Sequence, residues 1–341
     1  MRGMMQSWRS SENTHIDGLK LTEEVRPSPQ RGEVLIRVRA VSLNFRDVAM
    51  LSGRYPQPYR PGLIPCSDGA GEVVEVGEGV DEFQPGDRVM GLFHLRWFEG
   101  PIPLDIGQSA YGSQIDGWLC EYKVISRESI VPIPNYLSFE QASTLPCAAT
   151  TAWNALNGPV PTMIGDTVLV QGSGGVSLFA LQLAKAMGAK VIATTSQTDK
   201  EGRLKALGAD EVINYRQEPE WGVKAKQLTG GLGVDRVIEV GGANTFNQSL
   251  KAIKLGGKID SIGFLSGQSD QGIDFYQLFA TRAELRMIQV GNRALVKALC
   301  QAMAAREIEP VIDRVFAFED ARAAFHHLDS GNHFGKTVIR C

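Results

Sequence analysis

The alternation of apolar and polar residues changes character partway along the chain. In roughly the first 125 residues it has the period of two that is typical of half-buried strands. This period predicts strands at Glu33–Ala40, Gly69–Val76 and Arg88–Gly91. From Asp166 onward, β-branched apolar runs alternate with helical segments, as in βαβ units. A helix at Arg293–Arg306 and a strand at Thr337–Arg340 follow. The pattern predicts an α/β protein with a β-rich domain and a doubly wound parallel-sheet domain.

Composition narrows the class of protein. The 341 residues suit about two domains, and 43% hydrophobic with 21% charged residues is ordinary for a globular protein. A net charge of −3 provides no basic field for nucleic acid or membrane surfaces. No apolar run approaches the ~20 residues of a membrane span, and the N-terminal residues lack a secretory signal. The five cysteines are scattered, so reduced thiols in the cytoplasm are expected.

A glycine-rich loop separates a predicted strand from an amphipathic helix. The strand Thr167–Gln171 precedes the sequence GSGGVS, after which the helix runs to Met187. Glycines there allow a tight turn and let the backbone approach a pyrophosphate at the helix N-terminus. Ser177 replaces the third glycine of the usual fingerprint but is small enough for close packing. The loop predicts dinucleotide binding, with an ordinary strand-to-helix turn as the alternative. The residues assigned to the cofactor are Gly172, Gly174, Gly175 and Val176.

The end of the next strand bears on which nicotinamide cofactor binds. NAD-binding sheets usually carry an acid about 20 residues after the glycine loop, for the ribose hydroxyls. Here the strand ends Thr194–Thr195–Ser196, and Lys200 and Arg203 follow. The absence of an acid at the end of this strand, together with a nearby cation, favours binding of the 2′-phosphate of NADP(H). In the alternative reading, Asp199 binds the ribose and Lys200 is an ordinary solvated lysine.

Five segments together resemble the medium-chain dehydrogenase/reductase superfamily, in its zinc-free quinone oxidoreductase-like branch. They are VSLNFRDVAMLSGRYP (residues 41–56), PCSDGAGEVVEVGEGV (65–80), FQPGDRVMG (83–91), VLVQGSGGVSLFALQLAKAMGA (168–189) and LGADEVINY (207–215). The resemblance implies a GroES-like catalytic domain and a Rossmann NADP-binding domain with the active site in the cleft between them. The expected division is 1–128 with 290–341 for the first domain and 129–289 for the second.

The resemblance also bears on zinc. Zinc-dependent members of the superfamily hold the catalytic metal on a cysteine where this chain has Asn44 and on a histidine where it has Ser67. Only Cys147 matches a ligand type, and we interpret it as a small buried thiol. Residues 92–118, where a four-cysteine structural zinc lobe would fall, contain no cysteine. Because catalytic zinc needs three protein ligands, we expect no metal.

Two residues are the candidates for catalysis by resemblance. Tyr55 matches a tyrosine that lines the site of quinone oxidoreductases, and is expected to donate to a developing oxyanion. Asn44 matches an asparagine that would orient the nicotinamide carboxamide or the substrate carbonyl. The alternatives are a loop aromatic packed on prolines for Tyr55 and a turn residue for Asn44. Water is an alternative proton donor.

Further cofactor contacts are implied at the ends of other elements. Thr151 matches a threonine near the nicotinamide, and Tyr215 a tyrosine beside the adenosine 2′-phosphate. Gly241 and Gly263–Phe264 end parallel strands, where such sheets bind ligands. Asn332 precedes a closing segment that is similar to the family's.

The predicted activity is therefore NADPH-dependent, zinc-independent hydride transfer to a quinone or to an activated C=C or C=O bond. A zinc-type alcohol dehydrogenase and a non-catalytic NADPH-binding protein are the alternatives. A homodimer is expected through the sheet edge near Glu284–Val290, because an unpaired edge strand invites a twofold partner. Relatives commonly pair at this edge.

Overall fold

The computed structural model describes residues 3–11, 15–56, 59–267 and 272–341. The strands of these residues are β1 (Met4–Arg9), β2 (Lys20–Val25), β3 (Glu33–Ser42), β4 (Asp68–Val76), β5 (Arg88–Gly91), β6 (Tyr122–Ser126), β7 (Ile130–Pro132), β8 (Thr167–Gln171), β9 (Lys190–Thr195), β10 (Glu211–Asn214), β11 (Val234–Glu239), β12 (Ile253–Ser261), β13 (Glu284–Met287), β14 (Ile312–Ala317) and β15 (Lys336–Arg340).

Helices connect most strands of the second half. They are α1 (Phe45–Leu51), α2 (Phe139–Ala142), α3 (Thr150–Leu156), α4 (Gly175–Ala186), α5 (Asp199–Ala206), α6 (Trp221–Leu228), α7 (Ala243–Ala252), α8 (Phe275–Thr281), α9 (Arg293–Ala304) and α10 (Ala321–Asp329). A π-helical turn at Leu145–Ala149 leads into α3. Within the described residues, no helix is both long enough and apolar enough to cross a bilayer.

The chain divides into two compact units. Unit 1 comprises residues 1–150 and 290–341, and unit 2 comprises residues 151–289. The first boundary lies later than the predicted one at 128/129, because residues after 128 are held in unit 1. Strand β7 pairs antiparallel with β5, and the Tyr136 hydroxyl donates to the Ile308 carbonyl at 2.9 Å.

Unit 1 is built on a seven-stranded sheet. Its strand order is β14-β15-β3-β4-β5-β7, and β6 pairs with β3 off this path. Strand β3 lies between β15 and β4, and its buried positions are mostly apolar, including Val34, Ile36 and Val38. The strands predicted in this unit are confirmed, and β5 has the predicted bounds. The β1–β2 hairpin was not predicted.

Unit 2 is a six-stranded parallel sheet with helices between the strands. The order is β10-β9-β8-β11-β12-β13. Strands β8 to β10 are added toward one edge of the sheet and strands β11 to β13 toward the other, so the strand order reverses between β8 and β11. Every strand pair in it is parallel. This is the doubly wound order, in which ligands bind outside the carboxyl ends of the strands at the point of reversal. The predicted α/β class with a GroES-like β domain and a Rossmann sheet is confirmed.

A buried ion cluster fixes the last strands of unit 2. Arg236 on β11 pairs with Asp260 on β12, and Arg286 on β13 donates to the other carboxylate oxygen at 2.8 Å. Arg236 also donates to the carbonyls of Ala155 and Val160, at 2.6 and 2.5 Å. The Asp260 side chain is only 2% exposed, so each charge depends on its partners to offset lost hydration. The cluster therefore ties three strands to the end of α3 and to the segment that follows it.

Replacing Asp260 by asparagine is expected to lower the free energy of unfolding by about 3–5 kcal/mol, because it leaves Arg236 buried without its counter-charge. Glu220→Gln is the matched control, since the Glu220–Lys251 pair in the same unit is solvent-exposed and is worth about 0–1 kcal/mol. Urea unfolding of both variants measures the difference. Equal losses would show that the buried cluster contributes no more than a surface pair.

Candidate functional site

The carboxyl edge of the unit 2 sheet collects the loops that the sequence assigned to the cofactor. The glycine loop follows β8, Ser196 follows β9, Tyr215 follows β10, Gly241 follows β11 and Gly263 follows β12. Hydrogen bonds join neighbouring loops: Gly172 N donates to the Thr194 carbonyl at 3.0 Å. Likewise, Ser266 N donates to Gly241 O at 2.8 Å. The structure thus brings these predicted residues to one edge of one sheet.

The glycine loop has the geometry that an anion requires. Gly172 has φ +75°, a left-handed conformation that glycine adopts without strain. Gly174 caps the 12-residue helix α4, and a Cβ at this position would meet no atom within 4 Å. The open backbone at this helix N-terminus can approach a phosphate, whose charge the helix dipole favours. Ser177 packs as expected, and its hydroxyl donates to the Gln171 carbonyl at 2.5 Å.

A buried carboxylate organises the neighbouring loop. Glu239, at the end of β11, is fully buried and accepts from Gly241 N and Gly242 N, each at 2.9 Å. It also accepts from Thr245 Oγ1 at 2.6 Å and from Gln171 Nε2 at 2.6 Å. Gln171 in turn accepts from Gly241 N at 3.2 Å, so the side chains that end β8 and β11 hold the same loop. The carboxylate therefore fixes the Gly241 backbone relative to the start of the glycine loop.

The three residues assigned to cofactor choice lie on adjacent segments. Ser196 is half-buried and Tyr215 is exposed, and Tyr215 N donates to the Thr195 carbonyl at 2.9 Å. Lys200 lies in the first turn of α5 and is 5% exposed, so it is not the solvated lysine of the alternative reading. Asp199, at the first position of α5, is exposed.

The remaining predicted contacts are more dispersed. Thr151 is buried in α3, Phe264 is exposed after β12, and Gly263 packs near β11, where a Cβ would lie 2.6 Å from the Val240 carbonyl oxygen. Asn332 is exposed in unit 1 before β15, and its backbone N–H donates to Ser330 Oγ at 3.3 Å.

A buried polar cluster surrounds Asn44 in unit 1. Lys336 Nζ donates to Asn44 Oδ1 at 2.6 Å, and Asn44 Nδ2 donates to Ser67 Oγ at 3.4 Å. Ser67 Oγ donates to Asp68 Oδ1 at 2.7 Å, and Cys147 N donates to Asp68 Oδ2 at 3.0 Å. The three positions matched to zinc ligands are therefore linked through one carboxylate. We call these five residues the Asp68 cluster.

Burial shapes the ionisation of this cluster. It raises the pKa of Asp68, while the nearby Lys336 ammonium opposes that shift. It lowers the pKa of Lys336, while Asp68 opposes it. Each charge thus favours the ionised form of the other and opposes the pKa shift that burial causes.

Tyr55 lies beyond the end of α1, the helix that Asn44 precedes as its N-cap. Asp47 Oδ2 accepts from Asn44 N at 2.8 Å and caps α1, and burial raises the pKa of Asp47 to about 6. Tyr55 is half-buried, with its ring 5.9 Å from the Arg46 guanidinium carbon. Arg46 also stacks on the Phe93 ring at 4.9 Å and donates to Asp47 Oδ1 at 3.3 Å. Asn44 and Tyr55 therefore flank helix α1 on one short segment.

The donor set in the Asp68 cluster does not fit a catalytic zinc ion. The side-chain oxygen of Asn44 accepts from the Lys336 ammonium, and the hydroxyl of Ser67 donates to Asp68. Cys147 is half-buried, less enclosed than expected, and burial raises the pKa of its thiol. Across the described ranges, no group of three His, Cys, Asp or Glu residues could hold a metal ion. A zinc ion at this place would face the Lys336 ammonium and would lack the three protein ligands that it requires.

Sequence reasoning missed Lys336, Glu239 and Gln171. Two charged residues in predicted strands could have drawn attention: Glu239 in VDRVIEVGG and Lys336 at the start of KTVIR. A buried charge without a partner is costly, so such residues are expected to have partners. Their partners come from segments far apart in sequence, so the sequence alone does not indicate which groups they bind or what they do.

Comparisons with known proteins agree with this architecture. Residues 30–135 match the alcohol dehydrogenase GroES-like domain family, and residues 175–305 match the zinc-binding dehydrogenase family. The zinc-type alcohol dehydrogenase-like protein C1773.06c of Schizosaccharomyces pombe is 39% identical over 96% of this chain and 97% of its own length. An acryloyl-coenzyme A reductase of Metallosphaera sedula is 30% identical over 95% of this chain and 97% of its own.

Among solved structures, a protein of Sinorhizobium meliloti 1021 described as an alcohol dehydrogenase superposes with a TM-score of 0.93. It is 39% identical and each chain is covered completely. Identity and coverage over both units show more than a shared fold. The chain is an oxidoreductase that belongs to the medium-chain dehydrogenase/reductase superfamily.

Proposed function

We propose that this protein is an NADPH-dependent, zinc-independent reductase that transfers hydride to a small molecule with an activated double bond. The preferred acceptor is a C=C bond conjugated to a carbonyl, as in an enone, a quinone or an enoyl thioester. The Asp68 cluster carries this proposal, because the positions that would bind zinc instead hold hydrogen-bonding groups around a lysine. The similar acryloyl-coenzyme A reductase supports conjugated C=C bonds as the substrate class.

The proposed reduction requires side chains that form hydrogen bonds and does not require side chains that bind a metal ion. Alcohol oxidation without a Lewis acid lacks the usual means of stabilising an alkoxide. Reduction of a conjugated bond leaves an enolate-like oxygen, which needs only a hydrogen-bond donor and a proton source. Tyr55 is proposed as that donor, and Asn44 as the group that orients a carbonyl.

The cofactor is proposed to bind along the carboxyl edge of unit 2. NADPH supplies the hydride when bound. Gly172, Gly174, Gly175 and Val176 would hold its pyrophosphate, and Ser196, Lys200 and Tyr215 its 2′-phosphate. Thr151, Gly241, Gly263 and Phe264 would line the nicotinamide side of this edge. The role of Asn332 stays a prediction.

The alternative is a zinc-type alcohol dehydrogenase, which the names of similar proteins favour. The two candidates differ in their metal requirement and in their acceptor. NADPH oxidation by the purified protein is measured against enones, quinones, enoyl thioesters and aldehydes, before and after exhaustive chelation. Turnover of conjugated substrates that survives chelation is expected. One zinc per chain, with activity lost on its removal, would replace our proposal by the alternative.

Tyr55→Phe is expected to lower kcat by roughly 10²-fold or more, the range for losing one oxyanion donor. NADPH affinity is expected to stay unchanged, because the hydroxyl acts in the transition state. Tyr122→Phe, another half-buried tyrosine of unit 1, is the control and should keep full activity. Full activity in Tyr55→Phe would assign proton donation to water or another group.

Lys200→Ala is expected to weaken NADPH binding by about 1–2 kcal/mol and to leave NADH binding unchanged, because only the 2′-phosphate loses a charge-assisted bond. Fluorescence titration with both cofactors measures this difference. Lys205→Ala, an exposed lysine on the same helix, is the control. A wild-type preference for NADH, or equal weakening of both cofactors, would contradict NADP(H) selectivity.

The proposed assembly is a homodimer through β13. This strand ends the order of the unit 2 sheet, and Leu285 and Met287 on it are exposed, Met287 by 71%. Exposed aromatic side chains on α8, among them Phe275 and Phe279, precede it in the same unit. An unpaired edge beside apolar surface is suited to pairing with a second copy.

Analytical ultracentrifugation at micromolar concentration is expected to give the dimer mass. The double variant L285K/M287K should sediment as a monomer, because two lysines oppose pairing at an edge strand. Leu232→Lys changes an exposed leucine elsewhere in unit 2 and should stay dimeric. A monomeric wild type would contradict the proposal.

A further inference from the structure

Lys336 is a buried ammonium to which the proposed chemistry assigns no role. It opens β15 and is 4% exposed. Its Nζ donates to the Leu43 carbonyl at 2.5 Å and to Asn44 Oδ1 at 2.6 Å. Both acceptors belong to the segment that leads into α1. Strand β15 therefore contacts the start of the helix that lies between the catalytic candidates Asn44 and Tyr55.

The contact with Asn44 fixes the orientation of its carboxamide. An ammonium has three donors and no acceptor, so it can bond only to the oxygen of an asparagine side chain. The Nδ2 group must then face the other way, where Ser67 Oγ accepts from it. Lys336 and Ser67 thus hold opposite ends of one amide.

Asp68 explains why the ammonium is tolerated in this place. Its carboxylate accepts from Ser67 and from Cys147 N, and its charge is the largest influence keeping Lys336 protonated despite burial. Removing only one partner of a buried ion pair is costly, whereas an apolar pair of similar volume can be equally stable. Packing alone therefore does not require a lysine at this position.

We propose that Lys336 is a positioning residue for the reductase reaction. It orients the Asn44 carboxamide and places a fixed positive charge among the residues that replace the zinc ligands. This inference rests on the proposed function, because it concerns the same reaction. Two of its three donors are directed at Leu43 and Asn44, so we assign its effect on the reaction to its bond with Asn44.

The test separates positioning from stability. Lys336→Met removes the charge and the bond to Asn44, and kcat is expected to fall by about 10²-fold, the scale of a 1 Å misplacement. The KM for NADPH should change less than threefold, a margin set by the scatter of mutational effects. Because Lys336→Met leaves Asp68 unpaired, the second variant K336M/D68N removes both charges. It should recover the melting temperature without recovering kcat.

Lys123→Met is the matched control. Lys123 is the other lysine of unit 1 that is buried and caps backbone carbonyls, those of Asp116 and Gly117 at 2.7 and 2.9 Å. Its loss should lower the melting temperature and leave the kcat of the folded enzyme unchanged. A similar loss of kcat in both lysine variants would mean that any buried lysine of this unit matters through stability.

A double-mutant cycle with Asn44→Ala tests whether Lys336 acts through Asn44. If it does, Lys336→Met in the Asn44→Ala background lowers kcat less than about twofold further, since coupled residues are not additive. Losses that multiply, or a K336M/D68N enzyme with wild-type kcat, would overturn the inference. A wild type that reduces no conjugated substrate would instead overturn the proposed function, so the two failures are distinct.

Discussion

Burial of charge is the constraint on which both units depend. A carboxylate out of water is tolerated only when donors or a cation offset its lost hydration. Unit 1 places Asp68 among Ser67, Cys147 N and Lys336, and unit 2 places Glu239 among backbone and side-chain donors. In each unit these partners come from separate segments. Satisfying the charge therefore fixes loops that no single element could hold.

In unit 2 this constraint acts together with the topology of the sheet. The reversal of strand order between β8 and β11 leaves an opening at their carboxyl ends. Gln171 and Glu239 stand at that point and bond to each other and to the Gly241 loop. These buried side chains hold the backbone of the Gly241 loop, while Gly172 N in the glycine loop donates to the Thr194 carbonyl.

In unit 1 the same constraint decides which chemistry is available. Family relatives carry names that refer to zinc, yet this chain has the amide of Asn44, the hydroxyl of Ser67 and the thiol of Cys147 at the positions matched to zinc ligands, with the Lys336 ammonium bonded to Asn44. These groups donate and accept hydrogen bonds but do not form a zinc ligand set. A reaction whose transition state needs only a hydrogen-bond donor is consistent with this arrangement. The fold is thus compatible with several chemistries, and the side chains of the Asp68 cluster favour one of them.

The class of the fold and the position of the glycine loop could be predicted from the sequence alone. Alternation with a period of two and the βαβ spacing depend on neighbouring residues, so β3, β4, β5 and β8 could be predicted from local pattern. The GSGGVS loop is likewise contiguous, and Asn44, Ser67 and Tyr55 were identified by their match to family motifs. The position of the first unit boundary was not predictable from pattern, because it depends on the pairing of β7 with β5.

The partners of the buried charged residues depend on the tertiary structure. Lys336 and Asn44 are far apart in the chain, and the bond between them exists because β15 pairs with β3 and begins beside the start of α1. Glu239 and Gln171 meet because β11 pairs with β8. Periodicity reports which face of an element is buried, whereas the neutralisation of a buried charge depends on partners brought together by the sheet.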